Sequence, residues 1–437
     1  MFIVGRSPGR HCVESVINFE MAKQLLLSFA VILAAGIFSV FLSQKLKVPD
    51  VAIFLIAGIL LGPEVSGILH ITTESALNQI VVIFGACYIL FDGGASIRLK
   101  IIKQIWITLL VLATIGVIIM TAITGIAAYY LLGLPLITAL LLGAVIAPTD
   151  PATIIPVFRQ VRVKEKVSQT LISESAFNDA TGSVLTFAVL SVAMGSAGFS
   201  LTASLSDLLI QSVGGIVIGG AMGYLSALLL TQEKFDFQAK YALVITLMAV
   251  IGTYLGADGA QTSGFMAVFV YGIIIGNKES FGFRVNRQEH KKLQEYVART
   301  AMMMRIFIFI LLGSQVDFSL MSKYLFSGVI IVTIFMLIAR PITVFLCALP
   351  DRRAKWSFSE MLFMCWTRET GVIPAALAGL LIGKHVSGAE IIAAVTCIAI
   401  LTTILIQSTT AKWLAGKLGL LELGIKTKPN SREISIW

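Results

Sequence analysis

Runs of about 20 apolar residues recur from one end of this chain to the other, each long enough to cross the roughly 30 Å hydrocarbon core of a bilayer. Lipid offers no hydrogen bonds, so a backbone crossing it must satisfy its own polar groups. Repeated runs of this length leave one solution, a bundle of α-helices. Thirteen spans are read, at roughly 23–43, 50–69, 76–96, 104–131, 134–157, 167–195, 204–231, 239–256, 260–277, 294–314, 320–349, 357–383 and 388–414. Only 13% of the residues are charged, where a soluble domain carries about 25%. The fold class is an all-α polytopic membrane protein.

A net charge of +9 invites a nucleic-acid reading, and the placement of the charges rejects it. Lysines and arginines fall in alternate connections, as the positive-inside rule requires. One set of loops holds Lys45, Lys47; Arg98, Lys100, Lys103; Arg159, Arg162, Lys164, Lys166; Lys234, Lys240; Lys278, Arg284, Arg287, Lys291, Lys292; Arg352, Arg353, Lys355. The same side takes Lys412, Lys417, Lys426, Lys428 and Arg432 of the tail. The other set holds Arg6, Arg10, Lys23, Lys323 and Lys384. The expected orientation in the plasma membrane is N-terminus outside and C-terminus in the cytoplasm. Residues 1–20 are too polar for a signal sequence and read as an extramembrane segment. The tail, 416–437, is short and leaves no room for a regulatory domain. None of the five cysteines forms a CxxC, and His11, His70, His290 and His385 lack metal-ligand spacing.

The chain repeats itself weakly. "AGILLGP" (Ala57–Pro63) resembles "YGIIIGN" (Tyr271–Asn277), and "ILFDGGASI" (Ile89–Ile97) resembles "ILLGSQVDF" (Ile310–Phe318). Both matches join spans seven apart. Span 5 is broken by Pro148, Pro151 and Pro156; span 12 carries "TRETGVIPAALAG" (Thr367–Gly379), again with polar residues, glycine and proline at mid-span. Interrupted spans at matching positions of two halves point to a transporter's substrate site. An odd offset inverts the second copy. The expected domains are residues 21–195 (first repeat, spans 1–6), 196–236 (linker span 7) and 237–415 (second repeat, spans 8–13).

A charge at the centre of a spanning helix costs about 2.5–3.5 kcal/mol on insertion scales and is a functional candidate by default. Here these are Asp92, Asp150, Glu174, Asp179, Arg340, Arg368 and Glu369. In "SESAFNDATGS" (Ser173–Ser183), Ser175 and Asp179 share one helical face and Glu174 and Asn178 the next. Two carboxylates, an amide and a hydroxyl within one turn suit a hard monovalent cation. In "APTDPAT" (Ala147–Thr153), Pro148 and Pro151 prevent regular helix around Thr149 and Asp150. The freed carbonyls, the Thr149 hydroxyl and the Asp150 carboxylate make a second half of an oxygen site, with half-helix dipoles aimed at the break. Arg340, deep in span 11, requires a buried carboxylate, for which Glu174 is the better candidate because Asp179 serves the ion.

These residues resemble the NhaP-type sodium/proton antiporters of the monovalent cation:proton antiporter superfamily, over essentially the whole chain. "APTDPAT", "ESAFNDATG" and the Arg-Pro of span 11 carry the resemblance. It implies thirteen helices in two inverted six-helix repeats, a homodimer, and exchange of Na⁺ or Li⁺ for H⁺ with a role in pH homeostasis. No cofactor is implied beyond the transported cation and proton, and no enzyme activity. Carried over by motif, Asp150 and Asp179 are the ion-binding carboxylates, Thr149 and Ser175 neutral ligands, and Glu174 and Arg340 a structural ion pair. Asn178 stands where the electrogenic branch has a second aspartate, which implies one-for-one exchange. Asp92 falls where relatives carry an acid that is often Glu. Relatives place Arg directly before the span-12 glycine, whereas Arg368 lies three residues before Gly371, so it receives no role. A K⁺/H⁺ antiporter of the same architecture is the alternative. A cation channel would instead need a continuous pore, and an intramembrane protease would need a GxGD sequence that the chain lacks.

Overall fold

The computed structural model describes residues 8–422 apart from 47, 73–74, 151–152, 156–157, 159–161, 196–200, 232–235 and 284–286. Pro151 and Pro156 lie outside the described residues, as do the terminal stretches 1–7 and 423–437. Each of the thirteen expected spans is helical among the residues described. They are α1 (Pro8–Leu46), α2 (Asp50–Leu61), α3 (Ala76–Ala95), α4 (Leu99–Leu132), α5 (Leu136–Ile146), α6 (Glu165–Ala193) and α7 (Leu201–Thr231). There follow α8 (Asp236–Gly259), α9 (Gly264–Gly276), α10 (Arg287–Ser314), α11 (Leu325–Ala348), the half-helices α12a (Phe358–Trp366) and α12b (Val372–Gly383), and α13 (Ala389–Lys417). The helix of the first span starts at Pro8, well before the first apolar run, so the polar N-terminal segment is largely helical. The second span ends sooner than its hydropathy suggests. Gly62 turns extended at its C-terminus, as the residue before a proline prefers.

The helices sort into two bundles, each taking three spans from either half of the chain. In one, α1–α3 pack with α8–α10, and α7 lies along α8 and α9; in the other, α4–α6 pack with α11–α13. Inversion is visible in how glycines let backbones touch. A Cβ on Gly58 would strike the carbonyl of Ile310, and one on Gly62 that of Ser314; on the other side of the bundle Gly272 meets Phe91 and Gly276 meets Ala95. Gly313 faces the Leu55 carbonyl as Gly94 faces that of Phe269. Helices α2 and α10 therefore run parallel, as do α3 and α9, which is what a two-fold relating α2 to α9 and α3 to α10 demands. The contacts also correct one register. The sequence match sets Gly94 against Gln315, whereas the packing sets Gly94 against Gly313, two positions away. Close approach tolerates only glycine, so glycine and not the neighbouring acid fixes the correspondence.

Both fourth spans of the repeats carry a π-turn, Leu112–Gly116 in α4 and Phe335–Ala339 in α11. In α11 it sits just before Pro341, whose missing N–H and ring need a widened turn. The lysine- and arginine-rich connections meet at one end of the molecule. Lys166 pairs with Glu360 at 2.7 Å and lies 4.3 Å over the Trp356 ring, while Lys164 donates its N–H to Leu420. Asp351 loses solvent there, yet it accepts hydrogen bonds from Thr108, Ala354 and Arg353, which together hold its carboxyl below the usual range. Cys87, Cys347 and Cys365 are buried free thiols among apolar neighbours.

Gly94→Val and Gly313→Val should each destabilise the protein by about 1–3 kcal/mol, because overpacking forces backbones apart. Gly220→Ala, where nothing lies within 4 Å, should be neutral. Melting temperatures in detergent check this; equal values for all three variants would contradict the two-fold packing.

Candidate ion-binding site

Two broken spans cross at the centre of the second bundle. Helix α5 ends at Ile146, and Pro148 follows the Ala147 cap, so the backbone leaves the helix and returns to helical form at residues 153–155. In span 12, α12a stops at Trp366 and α12b begins at Val372. Asp150 joins the two breaks. Its N–H donates to the Glu369 carbonyl at 2.9 Å, and its Oδ2 accepts the Val372 N–H at 3.0 Å. The carboxylate thus caps the N-terminus of α12b, where the helix dipole favours negative charge. Gly371 makes room for it, because a Cβ there would strike the Asp150 carboxylate. Asp150 also starts the second half of its own span: its carbonyl accepts the N–H groups of Thr153 and Ile154, and Oδ2 accepts the Thr153 hydroxyl at 3.3 Å.

Helix α6 lies against this crossing, with Gly182 packed on the Pro148 ring. Asn178 clasps Thr149 twice, accepting its N–H at 3.1 Å and donating to its hydroxyl at 2.8 Å. Asp179, one residue on, turns to the opposite side. Asp150 and Asp179, 2% and 3% exposed, share a cavity of about 10 Å³ walled by Ala86, Ile89, Leu90, Ile308, Val372 and Ile373. That is room for one water-sized particle. Neither oxygen of Asp179 has a protein hydrogen bond, and neither has the buried Ser175 hydroxyl one turn earlier. A carboxylate without donors in an apolar wall is costly unless a cation or a proton joins it.

On the next face of α6, Glu174 and Arg340 form a bidentate pair, Nη1–Oε1 at 2.5 Å and Nη2–Oε2 at 2.9 Å. The Arg340 Nε donates to the Met364 carbonyl at 3.0 Å, so the pair fastens α6 to α11 and α12a. The fork geometry satisfies both partners and leaves Asp179 free of a fixed counter-charge.

Of the residues singled out in the sequence, Asp150 and Asp179 line the cavity, Thr149 and Asn178 bind each other, and Ser175 lies one helical turn before Asp179. Asp92 is elsewhere. It lines a separate cavity of about 340 Å³ with Ser96, Gln294 and Glu295, between α3, α9 and α10. The face of α3 toward Asp150 and Asp179 is apolar (Ala86, Ile89, Leu90), and helical phase sets Asp92 on another face. Arg368, given no role by its motif, has a clear place. It donates from Nη2 to the Ala147 carbonyl at the end of α5 and lies 4.7 Å from the Phe335 ring in the α11 π-turn. A cation there faces the negative end of the α5 dipole. Glu369 contributes through its backbone to Asp150, and its side chain accepts from Ser408 at 3.2 Å. Helix breaks were visible in "TRETG"; which residues bridge them was not.

A larger cavity of about 770 Å³ opens between α3, α10 and α12b at the end marked by Asn78 and Lys384. It shares Ile308 and Val372 with the small cavity, so it runs from one face of the molecule to the threshold of the two aspartates. Broken helices, a buried carboxylate pair and a vestibule on one side define a membrane transporter. The family model for the transmembrane region of sodium/hydrogen exchangers matches residues 29–417, and the chain belongs to that family. It is 30% identical over 419 residues to Na(+)/H(+) antiporter 1 of Methanocaldococcus jannaschii, covering 90% of this chain and 94% of that protein. It is 28% identical to the K(+)/H(+) antiporter NhaP2 of a Shewanella species, over 96% of this chain and 70% of the relative. The solved structure of the sodium proton antiporter MjNhaP1 from Methanocaldococcus jannaschii at pH 8 superposes with a TM-score of 0.74, at 28% identity, over 90% of this chain and 99% of that one.

Removing one member of the Glu174–Arg340 pair strands a buried charge, at a cost of about 3–5 kcal/mol. Glu174→Ala and Arg340→Ala should therefore lower the yield of folded protein and its melting temperature in detergent. Melting temperatures equal to that of the unmodified protein would contradict the pairing.

Proposed function

We propose that the protein is a secondary antiporter that exchanges Na⁺, or Li⁺, for H⁺ across the plasma membrane, one for one, by competition for Asp150 and Asp179. The observation that carries this is the shared cavity, which offers two carboxylates, an Asp179 whose oxygens take no hydrogen bond among the described residues, and room for one small particle. A cation or a proton neutralises the same place. The bundle holding it moves between its two access states when neutralised and stalls when charged and empty, because moving an unpaired charge through a low-dielectric region is expensive. The cation and the proton are cargo, and no resident cofactor takes part.

Thr149 and Ser175 supply neutral oxygens from behind the carboxylates, with Asn178 holding Thr149. An amide at position 178 adds no proton-carrying group, which supports electroneutral exchange. The orientation, N-terminus outside and C-terminus cytoplasmic, rests on the lysine and arginine distribution; a homodimer built on the first bundle rests on family resemblance. Exchange of K⁺ for H⁺ is the second reading, favoured by the potassium antiporters among the relatives.

Proteoliposomes carrying an imposed pH gradient should respond to Na⁺ or Li⁺, with an apparent KM that rises as pH falls while the maximal rate changes little. Clamping the membrane potential with K⁺ and valinomycin should leave the rate unchanged. Asp179→Asn should fold and not exchange, since an amide releases no proton. A response to K⁺ alone would favour the second reading. A KM flat across the pH range where transport changes, or exchange by Asp179→Asn, would overturn single-site competition.

A further inference from the structure

The two bundles are joined on the lysine- and arginine-rich side by the short connection from α3 to α4. Arg98 is extended there, with φ −101° and ψ 117°. In an extended segment, successive residues point their backbone groups to opposite edges. Here each edge is taken by a different bundle. On one, the Ile97 carbonyl accepts from Asn277 Nδ2 at 2.7 Å, and the Leu99 N–H donates to Asn277 Oδ1 at 3.3 Å. Asn277 caps α9, in the first bundle. On the other edge, the Arg98 N–H donates to Gln169 Oε1 at 3.1 Å. Gln169 is on α6, the helix that carries Asp179, and is 4% exposed. Its Nε2 donates to Glu165 at 3.0 Å, and Glu165 pairs with the Arg98 guanidinium at 2.7 Å.

The three residues 97–99 are thus hydrogen-bonded like the middle strand of a sheet, with one bundle on each side. Any rocking of one bundle against the other must break an edge. The Gln169 edge is the one that moves with Asp179, because it belongs to the same helix. At the far end of the molecule the bundles stand apart around the 770 Å³ vestibule. The structure is therefore open on the Lys384 side and fastened on the opposite side.

Resting on the exchanger reading above, we propose that Gln169 is a positioning residue for transport. With Asn277 it forms a latch across residues 97–99 that holds the state open toward Lys384, and its release accompanies each crossing. The bond that its buried side chain makes to the Arg98 N–H sets the balance between the two access states without touching the ion.

Gln169→Met keeps length and volume but removes the acceptor, leaving the Arg98 N–H unpaired in the latched state only. Gln169→Glu, always made together with Glu165→Gln, keeps an acceptor for the Arg98 N–H and a donor facing residue 169. Loss of one such bond shifts a two-state ratio by about fivefold. In Gln169→Met the apparent KM for the cation, measured separately from the two membrane faces, should rise on the Lys384 face and fall on the other. Gln169→Glu should follow the unmodified protein. A purely structural defect would move both values the same way. The second readout needs no transport. A cysteine introduced as Ala376→Cys on the exposed wall of the vestibule should react with a charged thiol reagent several times more slowly when Gln169→Met is added. An unchanged labelling rate, KM values moving together, or a Gln169→Glu protein that behaves like Gln169→Met would overturn the latch. Failure of the unmodified protein to exchange any cation would overturn the exchanger reading instead, with the labelling result left to decide the latch.

Discussion

Asp150 is the residue through which two interrupted helices become one site. Its N–H goes to the carbonyl of Glu369 and its carboxylate takes the N–H of Val372, so each break satisfies orphan groups of the other. Backbone cannot be left open at membrane depth unless protein or a cavity receives it. The crossing meets that requirement and leaves a charged oxygen facing a cavity. Remove the carboxylate and both half-helices lose a partner. One side chain thus closes both breaks, and the residues around it, Gly371, Arg368 and the Asn178–Thr149 clasp, all serve to hold the crossing in place.

The remaining architecture follows from keeping that crossing dry while giving it access to water. Glycine-lined backbone contacts lock α2 to α10 and α3 to α9, producing a stiff bundle with an apolar wall toward the aspartates. The Glu174–Arg340 pair stiffens the opposite bundle and gives a buried arginine its own carboxylate. Charge is therefore paired at Glu174 and Arg340, while the Asp179 oxygens take no hydrogen bond among the described residues. The vestibule reaches the site from the Lys384 end, and the connection between α3 and α4 fastens the other.

Much of this was readable in the chain. Thirteen apolar runs became thirteen helical spans because bilayer thickness and backbone hydrogen bonding permit little else. Asp150, Glu174, Asp179 and Arg340 stood out because charges in apolar runs are expensive. The partners that hold them were less legible. Arg368 serves α5, more than 200 residues away, through its Ala147 carbonyl, a contact that spacing within span 12 cannot show. Asp92 has the same sequence signature as Asp150, yet helical phase directs it to a different cavity. The repeat register slipped by two because chemical similarity drew the match, while the packing obeys close approach. Asn178 stood out as an amide beside Asp179, but its paired hydrogen bonds to Thr149, which satisfy an N–H and a hydroxyl at once, could not be read from spacing within α6.

The central claim is that a cation and a proton occupy one place. Calorimetric titration of Na⁺ into the purified protein, repeated in buffers of different ionisation enthalpy, counts the protons released per cation bound. Competition at Asp150 and Asp179 predicts close to one proton released at a pH where the empty site is protonated, and no binding heat in Asp179→Asn. Na⁺ binding with no proton release at any pH would contradict it.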